Sequence, residues 1–277
     1  MRLSISNIAW DPSDDADIAR LLQRHGIDAI DVAPSKYFPD LARAGDDEIR
    51  SVKDWWAQEG IEIRGMQSLL FGTTGLNVFG APEVQDAMLA HLAEVCRIGA
   101  GLQAGRLVFG SPRNRDRTGL SDERTMEIAA AFFRRLGVIA EDHGQIICLE
   151  PNPASYGANF MTTSPETANV VKLVDHPAIK MQLDTGALTM NGEDILGLLP
   201  RHASLIGHVH ASEPGLAALG DGTTDHAAVA SAVEKYLPNH LVCIEMLATD
   251  KKTRLASVER ALNIAISHYR GSSGAAR

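Results

Sequence analysis

Eight short apolar runs recur along the 277-residue chain. They begin near Arg2 (RLSISNIAW), Ala29 (AIDVAP), Glu62 (EIRGMQSLL), Arg106 (RLVFGS), Ile146 (IICLEPN), Lys180 (KMQLDTG), Leu205 (LIGHVHAS) and Leu241 (LVCIEML). Between them, apolar residues fall at the three-and-four spacing of amphipathic helices, as in Asp17 to Arg24, Val84 to Ile98 and Thr125 to His143. Boundary signals agree with this reading. Asp46 to Glu48 put acid in a first turn, Thr163-Ser164-Pro165-Glu166 supplies a cap and then a proline, and Gly99 and Gly144 read as helix ends. Eight βα units in succession predict an α/β fold, a closed (β/α)8 TIM barrel in a single domain over residues 1–270. An open doubly wound sheet would show the same alternation, but no G-x-G-x-x-G follows the first strand and no P-loop occurs. Residues 271–277, rich in Gly and Ser, are expected to form a disordered tail.

Composition narrows the partners. Hydrophobic residues make up 45% and charged residues 22% of the chain, the balance of an ordinary globular protein. No run of eighteen apolar residues occurs, which argues against a membrane partner, and Met1 to Trp10 reads as a strand rather than a signal peptide. The formal charge of −9 argues against nucleic acid. Three cysteines (Cys96, Cys148, Cys243) form no pairing signature and are expected as reduced thiols in a cytoplasmic protein.

A TIM barrel holds its active site at the C-terminal ends of its strands, so the last polar residue of each run carries the most information. In the second half these are Glu150 (CLEPN), Asp184 (QLDTG), His210 (HVHAS) and Glu245 (CIEML). Alternation places Cys148 with Glu150, Gln182 with Asp184, His208 with His210, and Cys243 with Glu245 on shared faces. Three carboxylates aimed at one mouth repel one another unless a positive charge sits among them. One divalent metal ion resolves the conflict. Three oxygen ligands and an imidazole suit Mn2+ or Mg2+ first, with Co2+ and Zn2+ also compatible.

With these motifs in place, the chain resembles the xylose-isomerase-like TIM barrels, a superfamily of sugar isomerases, ketose 3-epimerases, hydroxypyruvate isomerases, inosose dehydratases and endonuclease IV. The resemblance spans the strand pattern of nearly the whole chain, and its specific motifs are CLEPN, MQLDTG, GHVHASEP, LGDGTTDH and VCIEM. It implies a metal-dependent sugar or keto-sugar isomerase or epimerase acting by proton transfer through a metal-stabilised enediolate. Glu150 and Glu245 would be the acid/base pair as well as metal ligands beside Asp184 and His210. A keto-sugar lyase or dehydratase using the same metal-enolate chemistry stays open, as does a non-catalytic carbohydrate-binding barrel.

Departures from the epimerase pattern bear on substrate. Ala187 stands where those enzymes carry a His, Leu216 where they carry an Arg, and Tyr156 where they often carry a second Glu; His208 and Glu213 match. The trinuclear zinc set of endonuclease IV needs histidines where this chain has Gln67-Ser68, Gly110-Ser111 and Ala187. Trp10, Ser35, Lys36, Gln67, Ser68 and Ser111, at or just past the first four strand ends, are candidate substrate contacts, joined by Asn152, His208 and Glu213. Asn159 either contacts substrate or orders a turn, and His226 either caps a helix or approaches the site. Arg113, Arg115 and Arg117, interrupted by Asp116, are expected in a solvated loop. The expected partner is a small sugar or keto-sugar, and the resemblance is compatible with a homodimer or homotetramer.

Overall fold

The computed structural model describes residues 1–270; residues 271–277, the expected tail, lie outside the described residues. In chain order the main elements are β1 (Leu3–Ser6), α1 (Asp15–Arg24), β2 (Ala29–Val32), α2 (Asp46–Gln58), β3 (Glu62–Met66), α3 (Pro82–Leu102), β4 (Arg106–Phe109) and α4 (Asp122–Asp142). There follow β5 (Ile146–Leu149), α5 (Ser164–Val174), β6 (Ile179–Asp184), α6 (Thr185–Asn191), α7 (Ile195–His202), β7 (Ile206–Ser212), α8 (His226–Tyr236), β8 (Val242–Glu245) and α9 (Arg254–Ala265). The strands pair in parallel in sequence order, and β1 closes on β8 through Leu3 opposite Val242 and Ile5 opposite Ile244. This is the expected (β/α)8 barrel, and each strand starts within one residue of its apolar run.

The helices seal the barrel with an apolar layer in which Trp56, Leu92, Phe132, Phe133 and Val258 are fully buried. Local signals fix their ends. Thr163 caps α5 by accepting the Glu166 N–H at 3.3 Å, while the Glu166 carboxylate accepts the Thr162 N–H at 2.7 Å. An N-cap of this kind is worth about 1 kcal/mol. Gly144 follows α4 at φ +65°, as expected, but Gly99 lies inside α3. A Cβ there would stand 3.0 Å from the Gln145 side chain and 3.1 Å from Leu107, so the glycine allows close helix–strand approach rather than ending the helix. The third apolar run also ends early: β3 stops at Met66, and residues 67–81 form a long loop over the barrel mouth. None of the described helices is long and apolar enough to cross a membrane.

The inside of the barrel is not uniformly apolar. Ser4, Asp31, Gln182 and His208 are buried there among aliphatic side chains. Asp31 of β2 reaches His208 of β7 at 2.6 Å. Space for the Asp31 carboxylate comes from Gly65, where a Cβ would fall 2.3 Å from its Oδ2.

Candidate metal centre and active site

Four strand ends meet at the C-terminal mouth. Glu150 is the first residue beyond β5, Asp184 ends β6, His210 stands two residues before the end of β7, and Glu245 ends β8. Strand register sets Asp184 opposite His210, and Ser212 opposite Glu245. His210 Nδ1 lies 3.4 Å from Glu150 Oε1, 3.3 Å from Glu245 Oε2 and 3.9 Å from Asp184 Oδ2. One donor atom from each of the four residues falls within 4.8 Å of all the others. The imidazole is fully buried, whereas each carboxylate keeps a small exposed face toward a cavity of about 600 Å³.

The charges explain why such a cluster holds together. Burial drives the Asp184 carboxyl well above the usual range, and the neighbouring Glu245 and Glu150 push it further. For His210, burial favours the neutral ring, but Glu245 and Glu150 outweigh it and hold the imidazole well above its ordinary value. Burial would raise Glu245 too, yet His210 and Gln67 keep it below the normal glutamate range. Without a cation, the crowding of carboxylates favours proton binding at His210 and Asp184. Three carboxylate oxygens around one imidazole are also the donor set of a moderately hard divalent cation. Glu150 Oε1, buried and without a hydrogen-bond partner, fits the same need.

The carboxylates are held in place by neighbours. Gln67 Nε2 donates to Glu245 Oε1 at 2.7 Å, and Asn152 Nδ2 donates to Glu150 Oε2 at 3.1 Å. Asp184 accepts from Ser212 Oγ at 2.8 Å and from the Ala187 N–H at 2.7 Å, so it also caps α6. Gly110 leaves room for Glu150: a Cβ at that position would lie 1.9 Å from its Oε2.

Of the candidate contacts, Ser35, Lys36, Gln67, Ser68, Ser111, Asn152 and Glu213 line the cavity. Two others do not. Trp10 is 1% exposed and faces the helix layer, its indole Nε1 donating to Asp15 Oδ1 at 2.7 Å. A tryptophan past a strand end has enough apolar surface to be drawn under the adjacent helix. His208 lies below the mouth, inside the barrel, because alternation places it one layer deeper than His210 and beside Asp31. Glu213 lines the cavity, but its carboxylate is engaged by the Gly220 N–H at 2.9 Å, the Thr224 N–H at 3.0 Å and His226 Nε2 at 3.1 Å. His226 therefore approaches the site through Glu213, and the cap of α8 is Asp225. Asn159 orders a turn by donating to Asp116 at 2.6 Å.

The basic loop is not solvated throughout, contrary to expectation. Arg117 is partly exposed beside Asp122, but Arg115 is fully buried and donates to the Glu150 carbonyl at 2.7 Å. Burial pulls its guanidinium down to about 10, with Glu150 and Glu166 opposing. Charge spacing in SPRNRDRTG does not reveal which of three arginines turns inward. Ser212, which donates to Asp184, carries a signal in the sequence: its position two residues after His210 places it on the same strand face.

The sequence profile of the xylose isomerase-like TIM barrel family matches residues 19–265. No curated protein matches the chain by sequence. Among solved structures, D-psicose 3-epimerase with D-tagatose from Clostridium cellulolyticum H10 is 20% identical over 97% of this chain and 99% of that one, with a TM-score of 0.81. A D-psicose 3-epimerase in the presence of D-fructose is 17% identical over 98% and 100%, with a TM-score of 0.80. The probable 3-DHS dehydratase AsbF of Bacillus anthracis is 15% identical over 95% and 99%, with a TM-score of 0.72. At these identities the likeness is one of fold.

Proposed function

This chain belongs to the xylose isomerase-like TIM barrel family, and from that premise we propose that it is a divalent-metal-dependent isomerase or epimerase of a sugar or keto-sugar. The carrying observation is that Glu150 and Glu245 both approach His210 Nδ1, at 3.4 and 3.3 Å, and both line one cavity. Glu150, Asp184, His210 and Glu245 would hold the cation, Mn2+ or Mg2+ first and Co2+ or Zn2+ as alternatives. When bound, it would supply Lewis-acid stabilisation of the negative charge that develops on a hydroxyketone losing its C–H proton.

The chain's own residues account for the rest. One of Glu150 and Glu245 removes the proton from the carbon beside the carbonyl. The other returns a proton, to the opposite face in epimerisation or to the neighbouring carbon in isomerisation. Gln67 and Asn152 each hold one oxygen of these two carboxylates, and both glutamates line the cavity. The test is elemental analysis followed by a screen of ketoses and keto-sugars in D2O. A bound divalent ion and deuterium incorporation at a hydroxyketone carbon are expected; neither, even after reconstitution with metal, would overturn the reading.

A dehydratase is the second reading, favoured by the fold shared with AsbF. It begins with the same proton removal and differs in what leaves, so a product lighter by one water would decide for it.

A further inference from the structure

The cavity is larger and more apolar than a free sugar requires. Its volume of about 600 Å³ sits well inside the range of roughly 300–1,000 Å³ that receives drug-sized ligands. Glu150, Asp184 and Glu245 line it beside Gln67 and Asn152, and Ser35, Ser68 and Ser111 add hydroxyls elsewhere on the lining. Above them the wall is built by Leu69, Phe71, Leu216 and Leu247. At the rim, Phe71 is 75% exposed, Leu247 44% and Tyr156 42%. Hydroxyls set against that wall would lose water without gaining a hydrogen-bond partner, a cost that an apolar substituent avoids.

Charge points the same way. Among the described residues, Lys36 is the one cationic side chain lining the cavity, and its Nζ already donates to the carbonyls of Asn7, at 2.7 Å, and Trp10. Arg115 lies behind Glu150 and faces that residue's carbonyl rather than the cavity. A phosphate would therefore find one ammonium on the lining, already shared with two backbone carbonyls, and no arginine.

We propose that this site takes a neutral hydroxyketone bearing an apolar aryl or alkyl substituent, with the substituent laid along the wall of Leu69, Phe71, Leu216 and Leu247. The placement of the hydroxyketone end rests on the isomerase reading above. The substituent then extends outward along the apolar wall, because the floor is closed by the buried layer beneath His210.

The test uses three probes that share one reacting group: hydroxyacetone, dihydroxyacetone phosphate and 1-hydroxy-4-phenyl-2-butanone. Their dissociation constants are measured calorimetrically on the Mn2+-loaded protein, alongside deuterium exchange by NMR. The phenyl compound is expected to bind roughly tenfold or more tighter than hydroxyacetone, as burying one aromatic ring would give. Phe71→Ser and Leu247→Ser, both at exposed positions where folding tolerates change, should narrow that gap. Equal affinities, or a preference for the phosphate, would overturn the proposal. So would a dimer that dissociates in Phe71→Ser with ligand preference unchanged, since the wall would then belong to a second copy of the chain. A phenyl preference without deuterium exchange would sustain the substrate class while removing the isomerase reading. Exchange without the preference would do the reverse.

Discussion

Asp31 and His208, carried by β2 and β7, meet at 2.6 Å across the inside of the barrel. Both are buried, and the Asp31 carboxyl is held below its usual range: burial works to raise it, and the charge and hydrogen bond of His208 outweigh that. The pair joins two strands that are not neighbours in the sheet. Removing one partner leaves the other buried without compensation, a loss on the order of 3–5 kcal/mol. Asp31→Ala should therefore lower the midpoint of denaturant unfolding sharply. A variant as stable as the parent would show that the pair contributes nothing net.

Glu150→Gln and Glu245→Gln keep side-chain volume and remove the ability to exchange a proton. Each should lower turnover by roughly 10²–10⁴-fold while leaving the far-ultraviolet circular dichroism unchanged. Near-parental rates in both variants would remove them from the acid/base role.

Metal binding should release protons. The cluster without a cation favours a proton on His210 and on Asp184, and a cation competes with both. Titration of Mn2+ near pH 7 in buffers of differing ionisation enthalpy should give a buffer-dependent heat. His210→Ala should weaken binding as well as reduce that dependence. A heat independent of buffer would mean that the residues were already deprotonated.

Gly110→Ala tests the room left for Glu150. The added Cβ collides with Oε2 of that carboxylate, so Glu150 must turn away from the cluster. Metal affinity should fall with little change in thermal midpoint, because Gly110 lies outside the strands. Unchanged affinity would show that Glu150 is not needed to hold the ion.

Acid should loosen the loop between β7 and α8. Burial pushes the Glu213 carboxyl upward, but the N–H groups of Thr224 and Gly220 outweigh it and hold the group below its ordinary value. A depressed carboxyl stabilises in full above its unfolded value of about 4.3. That contribution disappears as pH falls through the lower folded value. Amide exchange at Gly220 and Thr224, corrected for intrinsic rate, should therefore accelerate below about pH 4, and Glu213→Gln should show faster exchange already at neutral pH.

The barrel was legible because each strand is a continuous apolar run bounded by amphipathic helices, and period alone separates the two. The cluster was legible because strand alternation brings Glu150, Asp184, His210 and Glu245 to one end. What alternation does not give is depth: His208 shares a face with His210 yet lies a layer below the mouth. Nor does it give the fate of side chains beyond the strands, where packing decides. Trp10 was drawn under a helix and Arg115 turned inward for such reasons, and the wall around Phe71 arises because β3 ends at Met66.

The pairing of Leu3 with Val242 has a consequence for the order of assembly. The strand synthesised first has an unsatisfied edge until the strand synthesised last arrives, so closure depends on a contact of very high sequence separation and belongs to the slow steps of folding. Glu245 sits at the tip of that closing strand. A nascent or truncated chain lacking β8 would carry three members of the cluster, and the fourth joins them only once the ring is sealed.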